Sequence, residues 1–179
     1  MKKIEEMTEQ EFKQEFIKWF DEEKWNQIEI LGRLDHIVEH ICSTWLNIKP
    51  IPVLFGENMG KISSYLDLKN QVIWLNPNNQ NEYIKLLDAT LHELEHYYQN
   101  FYALNFTSPK ARRWKKELTN YIGLDNPAEY VLQEIEIDAC AFSQIVLATE
   151  FGIMYKYPNP EIQCLIEEYI NSKKIIQDD

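Results

Sequence analysis

Cysteine is scarce in this chain. There are three in 179 residues (Cys42, Cys140 and Cys164), an odd number without a CxxC pair. That pattern excludes a disulfide framework and a cysteine zinc site, and reads as reduced, buried thiols. Basic residues are also in deficit, 18 against 29 acidic ones, which gives a formal net charge of −11. Such a balance argues against a general binder of nucleic acid or anionic membrane. No stretch approaches the roughly 20 apolar residues of a membrane-spanning helix. The opening "MKKIEEMTEQEF" also lacks the apolar centre of a secretory signal, so the expected location is the cytoplasm. Repeats, low-complexity tracts and Gly/Ser linkers are missing too. The chain therefore reads as one domain over residues 1–179, with a helical part at 1–49, a core at 50–150 and a C-terminal helix at 151–179.

What is present suffices for a packed interior, since 45% of residues are hydrophobic and 13% aromatic. Thr8 and Glu11 form a capping box that opens a first helix. A second helix is expected from Trp25 to Leu46, with Leu34, Ile37, Val38, Ile41 and Trp45 on one apolar stripe. "IPVLF" (51–55), "KISSYL" (61–66) and "QVIWL" (71–75) are short β-rich runs separated by turn signals, which predicts a three-stranded antiparallel sheet. "NPNNQN" then caps a long helix from Glu82 to Tyr102. A loop-rich region covers 105–126, Pro127 opens a helix to Thr149, and an amphipathic helix ends the chain. This order of elements predicts an α+β domain.

Only four histidines occur, and two of them stand in "LHELEHYYQN" (91–100). His92 and His96, four apart on a helix, share a face and can reach one ion. Glu93 lies about 100° around the helix from His92, so it can serve as a general base without being a ligand. Lys85, Asp88, His96 and Gln99 fall on the His92 side, whereas Tyr83, Leu87, Leu94, Tyr97 and Tyr98 fall opposite. A third ligand is sought in "QEIEIDACAFSQ" (133–144). Here Glu134 and Asp138 share a face with Tyr130, Val131, Ile137, Ala141 and Ile145, while Glu136 points about 160° from Glu134, beside Ser143. Carboxylates on an apolar stripe are costly unless paired or bound to metal. Glu134 as ligand and Asp138 as acceptor from a histidine N–H meet that requirement.

His92, Glu93 and His96 followed by Glu134 and Asp138 resemble the gluzincin pattern of thermolysin-like zinc peptidases. "QVIWLNP", "LLDATLHELEHYYQ" and "EIEIDACAFS" resemble small ImmA/IrrE-like and phage-type metallopeptidase domains more closely, over about residues 50–150. The resemblance implies a zincin-like fold and a Zn2+ ion held by His92, His96 and Glu134. It also implies Glu93 as general base in peptide hydrolysis. The chain departs from the pattern at Ile137, at Phe142 and in the long gap after His96, which leaves Glu136 as the alternative ligand. No histidine follows, so a tyrosine, Tyr130 or Tyr121, takes the oxyanion-stabilising role. The competing expectation is a non-catalytic zincin-fold protein that binds a host or regulatory protein.

Two further features invite function. His36 and His40 are four apart, but the apolar stripe lies opposite both, which predicts a solvated face. Lys110, Arg112, Arg113, Lys115 and Lys116 form a basic segment in an acidic chain. It reads either as helix surface with Trp114 packed inward, or as a dock for an acidic partner or substrate segment. "QVIWL" is a candidate edge strand for pairing with an extended substrate.

Overall fold

The computed structural model describes residues 30–123 and 126–177. The capping box at Thr8 and the first turns of the second helix lie outside these residues. Helix α1 (Ile30–Ile41) buries Leu34, Ile37, Val38 and Ile41 at helical spacing, as the stripe predicts. A five-residue π-helical turn, Cys42–Leu46, extends it and ends at Asn47 in the left-handed conformation (φ 51°).

Strands β1 (Val53–Phe55), β2 (Ser64–Asp67) and β3 (Val72–Leu75) follow. The sheet is mixed rather than antiparallel, in the order β1-β3-β2, with β1 parallel and β2 antiparallel to β3. Only the second turn makes a hairpin: Asp67 accepts from the Asn70 backbone N–H, and Gln71 takes φ 54° to reverse the chain. The first connection, residues 56–63, is long enough to carry the chain past the position that β3 fills. "QVIWL" is therefore the central strand, with both edges paired, and among the described residues the outer edges belong to β1 and β2. Val53, Ile73 and Leu75 are fully buried against the helices, while Leu54 and Tyr65 flank Trp74 on the outer face. This alternation is the period-two pattern of a half-buried sheet.

Asn76 closes β3. Its side chain donates to the Gly60 and Ile62 carbonyls and accepts from the Asn78 N–H of a 3-10 turn, Pro77–Asn79. Helix α2 (Tyr83–Asn105) then runs through the middle of the molecule. Leu86, Leu87, Leu91 and Leu94 on α2 join α1 and the sheet in one core, which Val146 and Leu147 complete.

The expected loop at 105–126 is mostly helix: α3 spans Pro109–Thr119, with Pro109 in its first turn and the Ser108 hydroxyl accepting from the Ala111 N–H. The basic run is helix-forming, and Trp114, fully buried, fixes α3 to Tyr98 and Tyr102 of α2. The expected helix from Pro127 to Thr149 is divided. A single turn, α4 (Pro127–Tyr130), precedes α5 (Glu134–Phe151), and Gln133 caps the break by bonding the Ile122 and Tyr130 backbones. Gly152 ends α5 at φ 66°, a left-handed cap open to glycine without strain. Helix α6 (Pro160–Gln177) packs Ile162 and Ile166 on Ala141 of α5.

Helices around a small sheet make this an α+β fold. Among the described residues no helix is long and apolar enough to cross a membrane. The thiols divide: Cys42 is buried as expected, whereas Cys140 is half-buried and Cys164 exposed. His40 also departs from expectation. It is buried, with Nε2 3.3 Å from Glu150, whose other oxygen accepts from Trp45 Nε1, so α1 is tied to α5 there. The His36 side chain is 45% exposed, on the solvated face as expected, beside Glu39.

Candidate metal centre

Helices α2 and α5 meet along a polar seam. From α2 come Asp88, His92, His96 and Gln99, spaced to share one face. From α5 come Glu136, Cys140 and Ser143 at the same kind of spacing. The pairs run in opposite order along the two helices: His96 and His92 against Glu136, His92 against Cys140, and Asp88 against Ser143. Because α2 is buried on most sides, its histidines face this neighbour rather than open water, only 17% and 13% exposed at the side chain.

The three strongest donors form a small triangle. His92 Nε2 is 3.0 Å from His96 Nε2. Glu136 places Oε2 3.3 Å from His92 Nε2 and Oε1 3.2 Å from His96 Nε2. Zinc–nitrogen and zinc–oxygen bonds of about 2.0–2.2 Å at a tetrahedral centre put ligand atoms roughly 3.3–3.5 Å apart. Each histidine Nε2 faces its own Glu136 oxygen, and one ligand atom from each of the three residues lies within 4.8 Å of the others. His92, His96 and Glu136 thus form a group that could hold a metal ion.

Glu134, the expected third ligand, lies elsewhere. Its Oε1 is 3.1 Å from Arg113 Nε, and its side chain is one-third exposed. A helical wheel extended back through Tyr130 and Val131 puts Glu134 on the apolar face, yet α5 begins only at Glu134. The signal for Glu136 was present as the polar stripe Glu136–Cys140–Ser143, which matches Asp88–His92–His96 on α2.

The outer sides of both rings are held. His96 Nδ1 is 2.8 Å from Gln99 Oε1, and the Gln99 amide donates to the Ile135 carbonyl (3.0 Å) and to Asp138 Oδ2 (3.2 Å). Asp138, expected to accept directly from a histidine, acts one residue removed, and the Tyr169 hydroxyl donates to its other oxygen. Sequence reasoning placed Gln99 on the histidine side of α2 without giving it a task. His92 Nδ1 contacts Cys140 Sγ at 3.6 Å.

Electrostatics bind the triangle in the absence of an ion. Burial disfavours charge on Glu136, but the hydrogen bond from His92 and the His96 ring beside it outweigh this and hold the carboxyl far below the usual range. Burial likewise opposes a charged His92, but the Cys140 sulfur and the Glu136 carboxylate more than offset it and raise this ring well above an ordinary histidine. Asp88 is pushed up by burial, with the Ser143 hydroxyl as its donor.

Glu93, 7% exposed, accepts from Ser64 Oγ of β2 at 2.8 Å, which fixes the candidate base between α2 and the sheet. Both candidate tyrosines gather at Glu136. The Tyr121 hydroxyl donates to Glu136 Oε1, and the Tyr130 ring packs edge-on against Tyr121. Burial and the Glu136 charge keep both phenols protonated far above neutral pH. Tyr121 is 43% exposed, whereas Tyr130 sits farther inside.

Fold and site together define an α+β protein whose two longest-packed helices enclose a His-His-Glu group with an adjacent glutamate. No protein-family model, curated protein or solved structure matches the chain.

Proposed function

We propose that this chain is a zinc-dependent peptidase with His92, His96 and Glu136 as ligands and Glu93 as general base. The triangle of donor atoms carries the reading, because two imidazoles and one carboxylate at these separations leave a fourth position open, the mark of a catalytic rather than structural site. A zinc ion held there supplies a Lewis acid and a water acidic enough to react near neutral pH. Glu93 is the residue that would take a proton from an attacking water and return it to the leaving amine. Ser64 holds the carboxylate in place for both transfers. Tyr121, protonated and more exposed than Tyr130, is the better oxyanion donor once its hydroxyl turns away from Glu136, to which it donates here. Gln99 and Cys140 keep the two rings aimed inward.

The zincin-like reading of the fold belongs to the same proposal. It is supported by a strand that touches the metal helix through Ser64 and by a second helix that delivers the acidic ligand. The free thiols suit a reducing, cytoplasmic setting.

One observation favours a binding protein without hydrolysis. Of the four histidines, two stand in α1, so none is left to steady an oxyanion. Glu93→Gln separates the readings. It is nearly isosteric and keeps an acceptor for Ser64, so fold and zinc content should persist. Cleavage of a peptide library or of casein should fall by at least about 10²-fold. A cleavage activity that survives Glu93→Gln would refute the mechanism.

A further inference from the structure

The basic run of α3 has a location that its sequence could not give. Of its cations, Lys110 is occupied over the Trp114 ring, 4.0 Å from the centroid. Arg112, Arg113, Lys115 and Lys116 are exposed. Trp114 and Ala111 supply the packing that anchors the helix, Arg112 donates to the Thr107 carbonyl and Arg113 pairs with Glu134, whereas Lys115 and Lys116 extend from its exposed side.

Arg113 and Lys116 border a cleft of about 410 Å³ whose other walls are Glu117, Asn120, Ile122 and Gln133. Both nearby carboxylates are already engaged. Glu134 meets Arg113 Nε at 3.1 Å, and Glu117 Oε2 accepts from the Ile135 N–H at 3.2 Å. The far wall leads to the candidate centre: Gln133 clasps Ile122 by two hydrogen bonds, and the next residue, Tyr121, reaches Glu136.

We infer that this cleft and the exposed cations of α3 receive acidic side chains of a polypeptide, docking an acidic segment beside the His92–His96–Glu136 site. Its role in choosing a substrate rests on the peptidase reading, whereas the binding does not. The volume accommodates amino-acid side chains. A short acidic peptide matches a patch confined to one helix of eleven residues. A nucleic acid would run beyond it onto a surface that belongs to a chain of net charge −11.

The test uses the full-length Glu93→Gln chain, so that nothing is consumed. Fluorescence anisotropy compares a glutamate-rich peptide, acetylated and amidated, with its glutamine counterpart. The glutamate peptide should bind at least about tenfold more tightly at low salt, and the difference should shrink as salt is added. Lys115→Gln/Lys116→Gln, and separately Arg113→Gln, should reduce that preference while melting temperature and zinc content stay unchanged. Equal binding of the two peptides, or a preference that survives both variants, overturns the inference. So does tighter binding of a single-stranded oligonucleotide than of the glutamate peptide. If the wild-type chain cleaves nothing while the preference and its loss are observed, the acidic dock stands and the peptidase reading falls.

Discussion

His96 and Gln99 are joined by a 2.8 Å contact between ring Nδ1 and amide Oε1. An amide oxygen only accepts, and the Gln99 nitrogen is committed to Ile135 and Asp138. The proton of a neutral His96 is thereby assigned to Nδ1, leaving the Nε2 lone pair directed into the triangle. Replacing Gln99 with Leu removes this orientation and the donor shared by the Ile135 carbonyl and Asp138. Zinc affinity should fall about 10–100-fold, measured by competition with a chromophoric chelator, while circular dichroism shows the helices retained.

The choice between the two glutamates has a direct readout. Glu136→Ala should abolish stoichiometric zinc, whereas Glu134→Ala should leave it intact and break only the pair with Arg113. Elemental analysis of both variants, purified in parallel, decides. Zinc retained in the first and lost in the second would restore Glu134 as the ligand.

Without metal, a proton on His92 does the work of a cation, donating toward His96 and Glu136. The shifts fix the sign of its pH dependence. Glu136 is depressed, so its contribution is present above the ordinary carboxylate range and lost as pH falls through its folded value. His92 is raised, so its contribution is present below the ordinary histidine range and lost as pH rises through its folded value. Both are in force between about pH 4.3 and about pH 6.5. Urea melts of the apo protein should show stability from this pair highest in that window and declining on the alkaline side. Zinc should bind more tightly as pH rises and release protons into a weakly buffered solution near neutrality. Proton-independent binding would contradict the assignment.

Trp114 is the attachment of α3 to α2, fully buried against Tyr98 and Tyr102. Trp114→Ala should cost about 3–5 kcal/mol, read as a lower urea midpoint. The exposed Lys115→Ala should change stability by no more than about 0.5 kcal/mol.

The neighbouring placement of His92, Glu93 and His96 was legible because H-E-x-x-H is local: five residues on one helix need no knowledge of the partner. The third donor was not, because a helical wheel shows which residues share a face but not which face meets α2. The wheel also needs the right starting residue, and Gln133 resets it by capping α5 three residues after α4. The sheet was misread for a related reason. Turn residues mark where strands end, but the length of 56–63, not its composition, lets β1 lie parallel to β3. His40 shows the limit of periodicity at an element's end. Opposite the main stripe, it is buried by Glu150, a residue 110 positions away.

Helix α2 is at once the spine of the core and the carrier of the reactive groups, with Leu91 and Leu94 alternating with His92, Glu93 and His96 along the same turns. A change on one side of this rod moves the other, so selection can hardly tune the chemistry in small steps there. Arg112, Lys115 and Lys116 on α3 have no such double duty, and their exposed side chains can be exchanged without disturbing a core position. Diversification of this architecture should therefore concentrate on α3, leaving the His92–His96–Glu136 group nearly fixed.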